Sequence, residues 1–287
     1  MSQLRRDALA DRPRLLKTYP HLMRPNWRAR ALTTAVTATL LLAVLASFLS
    51  LEFSWSRFFS GLGELGKIVS LMLPPEYGTT ERLLLWLHAL GETLAIAFLG
   101  TLLAAVFAFP FGFLAARNVV PSWIFRFSVR RGLDSIRGVD TLIWALIWIN
   151  VVGLGPFAGV LAIMTSDFGT FGKLFSEAIE AADERDSEGV RSTGGSAMHE
   201  VRFGLIPQVL PVLLSQVLYY FESNTRSATI IGIVGAGGIG LHLAEQIRTL
   251  EWQHVSLLIV MILVTVGVID FLSSRLRLAI IGNQDRS

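Results

Sequence analysis

Glu188-Gly189-Val190-Arg191-Ser192-Thr193-Gly194-Gly195, followed by Gly204-Leu205-Ile206-Pro207, is a polar, charged segment set between apolar runs long enough to cross a bilayer. What surrounds it sets the class of the chain. Of 287 residues, 52% are hydrophobic and 16% charged, with a mean hydropathy of +0.55. Soluble domains carry about 25% charged residues. The deficit here lies in long apolar runs, so the chain reads as an integral membrane protein. It has no cysteine, which excludes disulfides, thiolate metal sites and a cysteine nucleophile and leaves the redox compartment undetermined. The net charge of +3 could suit nucleic acid. The basic residues, however, gather at the ends of apolar runs, as the positive-inside rule describes, so no nucleic-acid partner is expected.

A helix needs about 20 apolar residues to cross the hydrocarbon core. Six stretches are candidates: 31–51, 83–116, 139–152, 157–182, 205–221 and 255–278. The second is interrupted by Glu92 and Pro110, the third is closed by Gly153-Leu154-Gly155-Pro156, and the fifth has Pro207 and Pro211 near its start. Glycine and proline placed so are helix stop and start signals. The expected fold is therefore all-α: a polytopic membrane bundle of about six helices. Residues 1–30 form a basic N-terminal segment. The apolar run after it is full length and lacks a small-residue cleavage site, so an uncleaved anchor is expected. Residues 31–82 hold the first span and an interfacial piece marked by Phe53, Trp55, Phe58 and Phe59. Residues 83–280 form the core, with the polar loop at about 183–204, and 281–287 the tail.

Positive charge tests the topology. Of 25 Lys and Arg, 19 fall in the N-terminal segment, in 117–137, in the polar loop and in the C-terminal stretch that carries Arg275, Arg277 and Arg286. Six spans place all four on one side. Both termini and the polar loop are then cytoplasmic, and 52–82 is the longest extracytoplasmic stretch.

A polar loop that transmits force must be a short rigid helix in a turn-rich setting. Gly194-Gly195 supplies a break and left-handed backbone. Pro207 suits the first turn of the next span, where its missing N–H costs nothing. Glu188, the glycine six places on and the proline thirteen beyond that resemble the "EAA" loop of the membrane subunits of binding-protein-dependent ABC importers. By that resemblance, Glu188, Gly189, Val190, Arg191, Gly194, Gly195 and Pro207 dock an ATPase. The competing reading is an ordinary polar loop. Gly189-Val190 stands in place of the alanine pair, and Asp186-Ser187 where a proline-containing stretch belongs. Those departures leave the start of the docking helix open.

Further strings narrow the likeness. Leu218-Tyr219-Tyr220-Phe221-Glu222-Ser223-Asn224-Thr225-Arg226-Ser227-Ala228-Thr229 and Gly232-Ile233-Val234-Gly235-Ala236-Gly237-Gly238-Ile239-Gly240 resemble the permease of phosphonate importers. So do Gly153-Leu154-Gly155-Pro156-Phe157-Ala158-Gly159-Val160 and Lys173-Leu174-Phe175-Ser176-Glu177-Ala178-Ile179-Glu180. The likeness runs from about residue 90 to 276. It implies a type I ABC importer permease fold in a bacterial inner membrane. It also implies a homodimer, two ATP-binding cassette subunits carrying ATP and Mg, and an extracytoplasmic solute-binding protein. The chain itself would be no enzyme and would hold no cofactor. The implied cargo is a small phosphorus oxyanion: phosphonate, phosphite or hypophosphite. Closed two-fold pairing is also the commonest oligomeric arrangement.

Other patterns are weighed against simpler origins. Gly235-Ala236-Gly237-Gly238-Ile239-Gly240 matches G-x-G-x-x-G, but no βαβ unit surrounds it. Close helix packing explains it, or a broken backbone beside the pathway whose N–H groups meet an oxyanion. On the second reading Gly235, Gly237 and Gly238 line the route. Gly61-Leu62-Gly63-Glu64-Leu65-Gly66-Lys67-Ile68 mimics a P-loop, but Ile68 stands where Mg needs a hydroxyl. Glu222, Asn224 and Arg226 close the fifth expected span. Ionisable groups at membrane depth face a bundle interior or a water-filled cavity. Either Asn224 and Arg226 help an anion pass, or Glu222 neutralises Arg226 at i, i+4 spacing and fixes packing. Glu92 with Thr93 is a weaker pair of the same kind. The five histidines show no metal-ligand spacing. A stand-alone secondary transporter should show ion relays or an inverted repeat, and neither is visible.

Overall fold

The computed structural model describes residues 27–51 and 54–281. The basic segment before Trp27, Phe53 of the interfacial piece and the tail beyond Ile281 lie outside the described residues. Within them the chain is helical, with no strand. It divides into two units, Met1–Gly66 and Lys67–Ser287.

The first unit holds α1 (Trp27–Ser50) and most of α2 (Trp55–Leu71). α1 is apolar and exposed along its length. Its hydroxyls (Thr33, Thr34, Thr37, Thr39, Ser47 and Ser50) bond carbonyls three or four residues earlier, which hides them from hydrocarbon. α2 clusters Trp55, Phe58 and Phe59 edge-on and stacked, all exposed in this chain. A helix thus stands where the sequence predicts an interfacial piece. The P-loop-like string lies wholly inside α2, with no phosphate-cradling loop.

The second unit comprises α3 (Thr80–Ala115), α4 (Trp123–Arg137), α5 (Thr141–Val152), α6 (Pro156–Glu180), α7 (Glu184–Ser192), α8 (Ala197–Ile233), α9 (Ile239–Arg248) and α10 (Trp252–Ile281). α3 starts at Thr79, whose hydroxyl accepts from the Arg82 N–H, and Glu81 in its first turn favours the helix dipole. Neither Glu92 nor Pro110 interrupts it. The core lies between α3 and α6, built from Ala97, Ala104 and Ala108 against Ala162, Ile163, Phe171 and Phe175. A Cβ on Gly100 would lie 2.7 Å from Ile163 Cβ, and one on Gly112 2.7 Å from Phe175 Cβ. Small residues let these backbones approach closely, which is how helices gain packing where lipid is no less apolar than leucine.

Six spans were expected. α1, α3, α8 and α10 are long and apolar enough to cross a membrane, and α4 with α5 makes a fifth only as a pair bent by 84°. α5 has 12 residues, about 18 Å of helix, so the stretch 139–152 is not a full span by itself. α6 has 25 residues but carries Asp167 and Lys173, and it is buried as the central helix of the core. Residues 117–137, expected as a connecting loop, contain the amphipathic helix α4. The span expected at 205–221 is longer: α8 runs to Ile233, with a π-helical turn at Glu200–Leu205 before Pro207. Glu222, Asn224 and Arg226 thus sit inside a helix and not at its end. Their polarity reads as an exit from the membrane, whereas Glu222 and Asn224 are buried between helices and satisfied there.

Candidate functional site

The polar loop folds as α7 and a re-entry into α8. Asp183 caps α7: its carboxylate accepts from the Arg185 N–H at 3.0 Å. The Asp183 N–H donates to Gln208 Oε1 (3.0 Å), while Gln208 Nε2 donates to the carbonyls of Asp183 (3.2 Å) and Gly204 (2.9 Å). The helix therefore begins at Glu184. Glu184 and Asp186 occupy the first turn and Arg191 the last, the arrangement the helix dipole favours. Gly194 takes φ +83° and ends the helix. The Gly195 N–H donates to the Val190 carbonyl (3.1 Å), and a Cβ there would lie 2.7 Å from that oxygen.

Arg191 closes the loop on itself. Its Nε and Nη2 donate to the two oxygens of Glu200 at 3.0 and 2.7 Å, a bidentate fork. This hydrogen bond raises the Arg191 pKa above its ordinary value. Gly204 packs so near Ser187 that a Cβ would meet its Cα at 2.9 Å. α7 is thus held at both ends to the start of α8, yet none of its residues is buried. Met198 (75% exposed) and Phe203 (57%) add apolar surface beside it. A charged helix with exposed apolar neighbours is thus left at the surface.

In the core, Asn224 Nδ2 donates to Thr101 Oγ1 (2.8 Å) and to Asp167 Oδ2, so α3, α6 and α8 meet in one buried knot. Nothing in the sequence paired Asp167 or Thr101 with Asn224. The signal was an aspartate inside an apolar helix. Glu222 is buried too. Arg226 lies 3.6 Å from it, the predicted i, i+4 pair, but the hydrogen bond comes from Arg277 Nη2 of α10 at 3.1 Å. Sequence reasoning missed Arg277 because it stands 55 residues away. Arg226, half exposed, keeps its guanidinium largely open.

At the other end of α6 lies the glycine turn between α8 and α9. Gly235, Gly237 and Gly238 all take positive φ, at 106°, 82° and 72°. The Gly155 N–H donates to the Gly235 carbonyl (3.0 Å). Glu92 Oε2 accepts from the Gly238 N–H (3.0 Å) and Thr93 Oγ1 from the Ile239 N–H (2.8 Å). Glu92 and Thr93 thus satisfy the N-terminus of α9. The Gly238 N–H is engaged within the chain and does not point free toward a ligand. Among the described residues no group of His, Asp and Glu could hold a metal.

Comparison with known proteins agrees with this architecture. Residues 108–280 match the family described as "Binding-protein-dependent transport system inner membrane component". The permease protein HtxC of Stutzerimonas stutzeri is 40% identical over 88% of each chain. The "Phosphite transport system permease protein PtxC" of the same organism is 35% identical over 76% of this chain and 78% of that one. The "Phosphate-import permease protein PhnE" of Mycolicibacterium smegmatis is 33% identical over 87% of this chain and 47% of that one. In structure, the chain resembles one from the inward-facing MetNI methionine ABC transporter: TM-score 0.61, 21% identity, 70% of this chain and 99% of that one. At that identity the likeness speaks for the fold alone, the all-helical fold of an ABC importer permease. The chain belongs to the family of binding-protein-dependent transport system inner membrane components.

Proposed function

We propose that the chain is the transmembrane permease subunit of an ATP-driven importer for a small phosphorus oxyanion: phosphonate, phosphite or hypophosphite. The observation that carries this reading is α7, a charged helix fixed by Asp183, Gln208, Arg191 and Glu200 and left unburied. Two copies form the pathway. Each α7 engages one ATP-binding cassette subunit, which holds ATP and Mg, and a solute-binding protein delivers cargo from outside. Both termini are cytoplasmic. The chain carries no cofactor and performs no catalysis of its own. The names of relatives such as PtxC support the class of cargo.

ATP binding draws the two α7 helices together and opens the permease outward; hydrolysis resets it. Arg226, Asn224, Glu222 and the turn of Gly235, Gly237 and Gly238 lie along the route. An open Arg226 offers an anion a brief partner. Glu222, 3.6 Å away and shared with Arg277, keeps that partner weak, which suits a conduit that must release what it admits.

Reconstitution with the ATPase and binding protein tests the proposal by titration with methylphosphonate, phosphite, hypophosphite and phosphate. ATPase stimulation by one of the first three, dependent on the binding protein, is expected. An intact complex that none of them stimulates would remove the phosphorus assignment. Failure to assemble would remove the importer reading.

A further inference from the structure

We propose that the cavity between α4, the turn after α3 and the end of α6 binds the headgroup of an anionic phospholipid. It has a volume of about 370 Å³, and its charged lining is Arg117, Arg126, Arg130, Arg131 and Lys173 against Asp134 and Glu180. Both carboxylates are engaged. Glu180 accepts from Arg130 and from the Arg117 backbone N–H, and Asp134 lies 3.6 Å from Arg131 and from Lys173. Five cations against two anions leave the cavity positive. Arg126 and Arg130 also hold carbonyls, of Val120 and Ala115, so the cavity is prearranged. The Arg117 guanidinium makes no hydrogen bond or ion pair among the described residues and stands ready for a phosphate.

The rim selects lipid over a soluble anion. Trp123 (65% exposed) and Ile124 (72%) on α4 are apolar, with Phe127 beside them, and α4 turns 84° from the direction of α5. Such a helix lies in the interface with its apolar face toward acyl chains. Basic pockets of this kind recognise anionic headgroups, and planar guanidinium forks match phosphate oxygens. A zwitterionic headgroup would bring an ammonium into a positive site.

The test is native mass spectrometry of the full chain released from nanodiscs holding equal phosphatidylglycerol and phosphatidylcholine with the same acyl chains. The result expected is retained lipid enriched in phosphatidylglycerol. Arg117→Gln should lower the enrichment about fivefold, the effect of one basic charge near an anionic surface. Arg248→Gln on α9 should leave it unchanged. Lys173→Gln, read the same way, serves if the first variant is not monodisperse. Equal retention of both lipids would overturn the proposal, as would enrichment that survives both variants. Loss of the enrichment in excess inorganic phosphate would assign the cavity to a soluble anion and overturn it too. None of these readouts needs the ATPase, so the outcome is separate from that of the importer reading.

Discussion

At the glycine turn, backbone meets backbone: a Cβ on Gly240 would lie 1.9 Å from the Thr229 carbonyl, and one on Gly232 2.5 Å from that of Gly237. At α7, beyond the other end of α6, a Cβ on Gly189 or Gly194 would meet nothing within 4 Å. One region spends its glycines on closeness; in the other Gly195 and Gly204 do the same, but Gly194 makes a turn and Gly189 stands in open space. A packed end resists change wherever it is touched. An exposed element tolerates change in the fold. The difference separates the glycines that packing requires from those it leaves free.

Gly240→Val should break that contrast hardest. With carbonyl oxygen in the way, the cost is at least the upper range of overpacking, about 3 kcal/mol, read as a large fall in thermal stability by size-exclusion chromatography in detergent. Gly189→Ala should do the opposite, being neutral or stabilising by up to about 1 kcal/mol through helix propensity. Equal losses from both would erase the distinction.

The buried knot comes next. Asp167→Ala leaves the Asn224 amide without one of its acceptors at depth, a cost of about 1–3 kcal/mol. Adding Asn224→Leu should recover part of it. A double-mutant cycle that came out additive would deny that the two side chains act together.

Smaller still in stability, and larger in function, are the changes at α7. Gly194→Val forces a β-branched residue to φ +83°, costing about 1–2 kcal/mol. It should uncouple transport from ATP hydrolysis while the chain still folds. Arg191→Gln breaks an exposed fork and should leave thermal stability unchanged, with coupled ATPase activity reduced several-fold, as for residues that carry coupling between sites. A loss of stability equal to the loss of activity would make α7 merely structural.

Much of this was legible. The α7 segment announced itself because glycine, proline and charge at fixed spacing among apolar runs have few uses. Glu92 and Thr93, weak as a pair in sequence, turn out to cap α9, and carboxylate and hydroxyl are the side chains that cap. What stayed hidden was long-range or three-dimensional. Asp167 and Arg277 find their partners across helices, which no local periodicity encodes. Polarity at Glu222 and Asn224 mimicked a helix end, whereas buried partners, not solvent, satisfy those two groups. Hydropathy split 117–152 into loop and span, since it sees composition and not the bend between α4 and α5. The two span counts differ there and at α6, where Asp167 and Lys173 lower the apolarity of the helix.

The central claim is that α7 is the face the ATPase grips. The chain has no cysteine, so Ser192→Cys at the end of α7 gives a unique thiol for a photocrosslinker, with Thr249→Cys beyond α9 as the control. In the assembled complex, the label at position 192 should crosslink to the ATPase with a yield that changes on adding ATP, and the label at 249 should not. Crosslinking to the ATPase from 249, or from neither position in an intact complex, would contradict it.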